Sequence, residues 1–567
     1  MKKQHIILAG AFLLTSLGIS PLYGATPDND PELISIKTEI DRNMKGLHIT
    51  NMASPCFIDF RMTDLSQLSI VATRGELISS DEGRYRTGLP TVLAGDYANT
   101  NLNLVSNYRD VYSYENSPIG VAFGTNDAVL RTAIWKVLDD RYKNAAERFS
   151  NKQGLMNQME IPEEERNIPD FQKMTAIEHI LPILPLVYDR KAIEEYIMKA
   201  SAVFRDYKEL NESSVRLYAG SADVRYCNSE GSICRYPNNM VLIFINTRSQ
   251  SADGQELGQR RYFVYNSLED LPTLATLQAI CRDEAELMKR KLTAPMIKEP
   301  YVGPVLFEGE AVADLINKYM TDPMKGILAK RKPIATNEMR EYYSSHPALN
   351  ESELESMLNK KVISRDLTLT SLTGTPEYKG QKLVGHYQVD AQGIMPAKEL
   401  VLIEDGVLRN MLTSRTPTRL FRESNGHARS SINGGNMTIL PGVLQLSSKN
   451  VQSADVMRKK LIAAAKEEDY EYAYIVRKID NDTPTELIRL NVKDGSEELV
   501  RGAVIKDMAL RAFKRISAIS NKENLYNRVQ NDVKSTYIVP SAMLFDEVDI
   551  IKDAKLVLKK NYVVDKP

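Results

Sequence analysis

The sequence predicts an α+β protein of two domains: a mixed-sheet N-terminal domain with long helices, then a β-rich C-terminal domain. Three observations carry this. A chain of 567 residues, at about 100–200 residues per domain, calls for at least two folding units. Stretches with period-two alternation recur through both halves, interrupted by a few long helical patterns. Finally, Thr293 to Gly303 (TAPMIKEPYVG) holds two prolines and no periodicity, which suits a boundary. The expected organisation is a leader over 1–25, an N-terminal domain over 26–295 and a C-terminal domain over 296–567.

In chain order, residues 32–47 read as a charged amphipathic helix, followed by strands at Cys56 to Met62 and Leu68 to Arg74. Asn126 caps a long helix whose Leu130, Ile134, Val137 and Leu138 fall on one face. Ser150 to Asp170, polar and with two prolines, reads as an exposed connection. A helix at Lys191 to Tyr207 precedes strands at Val215 to Ala219, Met240 to Asn246 and Arg261 to Tyr265. A helix then starts at Pro272, since proline suits a first helical turn. Beyond the boundary come a strand at Val305 to Phe307 and a helix with Val312, Leu315, Ile316 and Tyr319 at helical spacing. Asp405-Gly406 inside VLIEDGVL predicts a two-residue hairpin turn, because both residues tolerate positive φ. Strands at Tyr472 to Lys478, Leu487 to Val492 and Val548 to Val557, with helices at Ala454 to Lys466 and Val504 to Ile519, complete the reading.

Lys+Arg 73 against Asp+Glu 74 leaves a net charge of −1, which gives no field to draw nucleic acid. Lys2 and Lys3, an apolar run from Ile6 to Leu17, and small residues at Gly24 and Ala25 form a signal-peptide pattern. The run is too short to span a bilayer. Export, cleavage near Ala25 and a chain with no membrane span are therefore expected. An oxidising compartment then allows Cys227 and Cys234, seven apart, to close a small disulfide loop, while Cys56 and Cys281 read as packed.

Motifs of the GxSxG, GxxxxGK, GxGxxG and HExxH kinds, which mark nucleophilic, phosphate-binding and zinc chemistry, are absent. The informative window is GPVLFEGEAVAD, Gly303 to Asp314, a strand running into a helix that presents Glu308, Glu310 and Asp314. Here the chain resembles the TldD/PmbA family of metallopeptidases, also called modulators of DNA gyrase. At this junction that family has a strand followed by a helix with HExxxH, whose histidines bind zinc. The resemblance extends to GHYQVDAQGIMPA (385–397) and the hairpin after it, and to Asn425-Gly426-His427-Ala428-Arg429 followed by Asn436-Met437-Thr438. It also takes in Leu440-Pro441-Gly442 and the terminal VPSAMLFDEV (539–548). In the N-terminal half, CFIDFR (56–61) and AGDY (94–97) are similar to an exported branch.

Laid on HExxxH, Gly309 falls at the first histidine, Glu310 at the glutamate and Asp314 at the second histidine. The family's cysteine ligand has no counterpart in 519–535. Zinc needs about three protein donors and an open position, and glycine supplies none. The resemblance thus implies the family's two-domain architecture with a degenerate metal site. It implies no cofactor, zinc re-entering only under a different ligand assignment. Its active chains carry zinc, and homologues without the site pair with them. The expected function is that of the zinc-less subunit in maturation or proteolysis of unfolded or modified peptides, with a zinc-bearing homologue or a second copy as partner. Alternatives are an active peptidase with non-standard ligands, Glu310 being the catalytic candidate, and an extracytoplasmic peptide-binding scaffold. The three carboxylates suit either a hard cation or a solvated first helical turn. Asn425, His427 and Arg429 are the expected substrate-cleft residues, His427 being open to a purely packed role as well.

Overall fold

The computed structural model describes residues 30–107, 117–124, 126–323, 325–344, 352–435, 437–480, 482–506, 508–560 and 562. The expected leader over 1–25 and Asn436 lie outside them. The first helix, α1 (Pro31–Gly46), is fixed at its start by Asp30, whose carboxylate accepts from the Leu33 amide, and by proline in its first turn. Leu33, Ile36 and Ile40 bury one face of it.

Strands β1 (Pro55–Thr73) and β2 (Glu76–Ala94) form a long antiparallel hairpin. The two strands expected over 56–74 are one. Thr63, Asp64, Ser66 and Gln67 are polar, yet β1 is bonded on both sides, by β2 and by β3 (Glu212–Asn228), and Arg86 reaches Asp64 at 2.6 Å. A central strand satisfies its backbone whatever its local composition. Between these strands, α2 (Asp127–Gln158) runs about two and a half turns into the stretch expected to be an exposed connection. Its last part is held by a polar residue: Lys152 is buried and donates to the carbonyls of Thr100 and Leu102 and to Asp170. Helix α3 (Arg190–Ser201) follows, capped by Asp189.

The first sheet continues from β3 through β4 (Met240–Gln250) to β5 (Glu256–Tyr265), which is its open edge. Helix α4 (Leu274–Thr293) packs Leu277, Cys281, Ala285 and Met288 on this sheet. The second sheet is built on β6 (Tyr301–Glu308), which pairs in parallel with β7 (Tyr472–Asp480) and antiparallel with the terminal strand β12 (Ala542–Lys552). Helix α5 (Glu310–Met320) leaves the end of β6 after a single residue. Beside β7 lies β8 (Thr483–Asn491). The segment expected to be a helix at 504–519 is instead β9 (Ala503–Lys506), a short 3₁₀ turn and β10 (Ile516–Ile519). Both strands pair with the terminal strand, so a ladder overrides the local helical spacing.

A third sheet ends in β11 (Glu523–Gln530), an edge strand bonded to Val533–Pro540. The predicted hairpin is present: Asp405 and Gly406 take φ of 47° and 78°, with Glu404 opposite Val407. The largest apolar core lies between the second and third sheets, around Phe307, Phe513, Phe545 and Tyr537. Among the described residues no helix is long and apolar enough to cross a membrane.

Candidate functional site

The ends of β6 and β7 lie side by side because the two strands are parallel, Phe307 facing Val476. This brings Glu308, Gly309 and the first turn of α5 beside Arg477 and Lys478. Edge strands β5 and β11 close the region from two other sides, the Asn527 amide donating to the Val264 carbonyl at 3.2 Å. The space enclosed is a cavity of about 960 Å³, whose wall includes Glu310, Asp314, Lys478 and Arg528, with a smaller one of about 230 Å³ beside it. Glu310 and Lys478 line both.

Glu310 and Asp314, four apart on α5, share a face. Each carboxylate is occupied by guanidinium donors. Arg261 on β5 donates to Glu310 at 3.1 Å through Nε and bonds Glu284 at 3.3 Å. Arg528 on β11 donates to Asp314 at 2.9 Å and stands 3.6 Å from Glu310. Burial favours the neutral form of Glu310, but Lys478, Arg528 and Arg261 outweigh it and hold the carboxyl below its usual range. At Asp314 burial wins, aided by the negative charge of Glu310, and raises the carboxyl despite Arg528. Burial also opposes the charge on Arg528, yet Asp314 and Glu310 hold it firmly protonated. Glu308 belongs to a separate cluster, with Arg477 at 3.3 Å.

A zinc ion does not fit these residues. Gly309 has no donor, and its backbone, at φ 63° and ψ −128°, is one that side-chain-bearing residues avoid. One oxygen of Glu310 and one of Asp314 are engaged by guanidinium groups, whose charge also repels a cation. Among the described residues no three His, Cys, Asp or Glu side chains gather as a metal would require.

Asn425, His427 and Arg429 are close together, His427 and Arg429 buried and Asn425 half-buried, and none of them is on the cavity wall. His427 Nδ1 lies 2.8 Å from Asn425 Oδ1 and its Nε2 lies 3.0 Å from Ser371 Oγ. Burial, then the nearby Arg429, drive its basicity down to about 3. Arg429 is stacked over Tyr387 at 4.0 Å. Sequence spacing locates their cluster but not its depth. The expected Cys227–Cys234 disulfide is not formed; both thiols are free and buried. Tyr226 faces Cys234 across the ladder while Cys227 faces Ile233, so the two cysteines project from opposite faces of the sheet. Cys227 packs with α1 and α2, whereas Cys234 packs with Val389. Arg261 and Arg528, the two residues that define the site, carry no local signal in the sequence; strand alternation places them on strands and nothing more.

This fold and site define a metallopeptidase-like C-terminal domain joined to an N-terminal α+β unit. The family model described as "PmbA/TldA metallopeptidase C-terminal domain" matches residues 301–552. Residues 301–552 are thus a domain of the TldD/PmbA type. A curated relative from Methanothermobacter thermautotrophicus named "Metalloprotease" is 27% identical over 219 residues, covering 36% of this chain and 40% of the relative. The chain thus spans well under half the length of that relative. The fold is similar to that of a Thermotoga maritima protein described as a candidate modulator of a DNA gyrase. That pair has a TM-score of 0.57 at 14% identity, over 91% of this chain and 100% of the other. TldE from Thermococcus kodakarensis gives 0.55 at 11% identity, over 91% and 99% of the two chains.

Proposed function

We propose that this chain is an exported TldD/PmbA protein without metal, which pairs with a zinc-bearing homologue and holds unfolded or modified peptides for cleavage there. The observation that carries the reading is the engagement of Glu310 and Asp314 by Arg261 and Arg528. At the strand–helix junction where the family resemblance puts zinc ligands, this chain has a charge-balanced lattice of carboxylates and guanidinium groups. Such a lattice cannot generate a metal-activated water, which is the nucleophile that zinc peptidases use. The cavity it borders, with sheet edges on two sides, suits an extended chain rather than a folded protein.

The test is co-expression, leader intact, with a zinc-bearing homologue from the same organism, followed by zinc analysis and hydrolysis of an unfolded peptide. The expected result is a stable complex in which zinc follows the homologue and hydrolysis requires both chains. EDTA-sensitive hydrolysis by this chain alone, with stoichiometric zinc, overturns the proposal.

A further inference from the structure

The wall between the two cavities contains donors with nothing to donate to. Gln259, on β5, is buried, and its Oε1 accepts from the Lys291 ammonium. Lysine only donates, so this contact fixes the amide orientation and leaves Nε2 as a pair of N–H donors. That atom is buried without a partner among the described residues, as are the hydroxyl oxygens of Thr247 and Thr485. Thr247 stands opposite Gln259 in the β4–β5 ladder, and all three side chains belong to the wall of the larger cavity. Lys478 completes the set. It donates to the Arg260 carbonyl at 2.7 Å, and the described residues place no carboxylate within ion-pair distance of it. Leaving a buried donor unmade costs about 1–3 kcal/mol, so a group of them on one cavity wall calls for an acceptor.

We propose that Gln259, Lys478 and Thr485, backed by Thr247, form a subsite for a single carboxylate, the C-terminal carboxylate of a peptide in the cavity. Lys478, which acts on Glu310 only from beyond ion-pair distance, supplies one ammonium to match one negative charge. A doubly charged phosphate is disfavoured because Glu310, Asp314 and Asp480 line the same cavity. A terminal carboxylate also accepts several hydrogen bonds at once, which matches converging N–H, O–H and ammonium donors. This rests on the peptide-handling role proposed above and adds polarity to it: the peptide is gripped by its C-terminal end.

The experiment measures binding of N-acetylated tetra-alanine to the purified chain by calorimetry, as the free acid and as the C-terminal amide, with an amidated variant carrying one internal aspartate. The free acid is expected to bind about tenfold or more tightly than either amide. Lys478→Met and Thr485→Val, both at partly exposed positions, are each expected to shrink the ratio of acid to amide affinity. Equal binding of acid and amide overturns the subsite and leaves the peptide-handling role standing. Rescue by the internal aspartate overturns the terminal assignment. Binding of neither form overturns both proposals.

Discussion

Arg528 sets its Nε and one terminal nitrogen 2.9 Å from the same Asp314 oxygen and lies 3.6 Å from Glu310, tying β11 to the first turns of α5. Its side chain is 7% exposed, so the pair is largely dehydrated. Removing one partner from such a pair leaves the other charge unpaired and costs about 3–5 kcal/mol. Arg528→Met is therefore expected to lower unfolding stability by that order in denaturant titrations at pH 8. The deficit has a pH sign. Burial already raises Asp314 above its usual value, and losing Arg528 raises it further. A carboxyl raised in the folded state gains stability as pH falls through its folded value, so the deficit should narrow at pH 5. A deficit independent of pH argues against the pairing as the cause.

A second prediction concerns the attempt to rebuild a zinc site. Gly309→His with Asp314→His restores both histidines of the family pattern, yet it should not restore zinc. A Cβ at position 309 has room, its nearest neighbour being the Tyr526 hydroxyl at 3.8 Å, but the positive φ is strained for a residue that carries one. Arg528 also remains, and losing Asp314 frees its charge. Metal analysis after dialysis is expected to show substoichiometric zinc in the double variant. Stoichiometric zinc there would mean that the guanidinium groups do not block the position.

Much of the fold is legible in the sequence where local chemistry and tertiary pairing agree. Asp30, Pro31 and the apolar spacing of Leu33, Ile36 and Ile40 mark α1, and Asp405-Gly406 marks its hairpin. The misses occur where long-range pairing overrides local pattern. The stretch 504–519 has helical spacing but is claimed by the terminal strand, and the polar end of α2 is buried through Lys152 rather than through an apolar stripe. In the site, Gly309, Glu310 and Asp314 are readable as departures from a motif. Their partners are not: Arg261 is 49 residues from Glu310 and Arg528 is 214 from Asp314, and only the folded sheet edges join them.

The cysteines give a third prediction. With Cys227 and Cys234 on opposite faces of one ladder, a bond between them requires a register slip that would turn every following side chain over. Burial raises both thiols to well above their usual range, Cys234 up to about 12, so little reactive thiolate forms at neutral pH. Alkylation after unfolding, without reductant, is expected to label all four cysteines, and reductant should leave the melting temperature unchanged. A mass deficit of two hydrogens mapped to 227 and 234 would show that the strands reorganise under oxidation.

The last prediction follows from His427. The folded protein holds it neutral, its basicity driven to about 3 by burial and by Arg429, against a usual value of 6.5. A base depressed in the folded state costs nothing above its unfolded value. As pH falls from 6.5 toward 3, the unfolded chain binds a proton that the folded chain refuses, so stability declines over that window, by on the order of 4 kcal/mol at its end. Asp59 and Asp390 act in the opposite sense. Burial pushes both carboxyls up to about 6, so each adds stability as pH falls from there toward 3.8. The two effects overlap, and substitution separates them. His427→Gln keeps a side chain that hydrogen-bonds but cannot be protonated. At pH 8 it should be less stable than the wild type, having lost the fitted contacts with Asn425 and Ser371. Between pH 6.5 and 4.5 the wild type pays the protonation cost and the variant does not, while both keep the gain from the aspartates. Urea midpoints at pH 8, 6 and 4.5 should therefore converge or cross, and a constant gap would show that His427 is not the acid-sensitive group of this core.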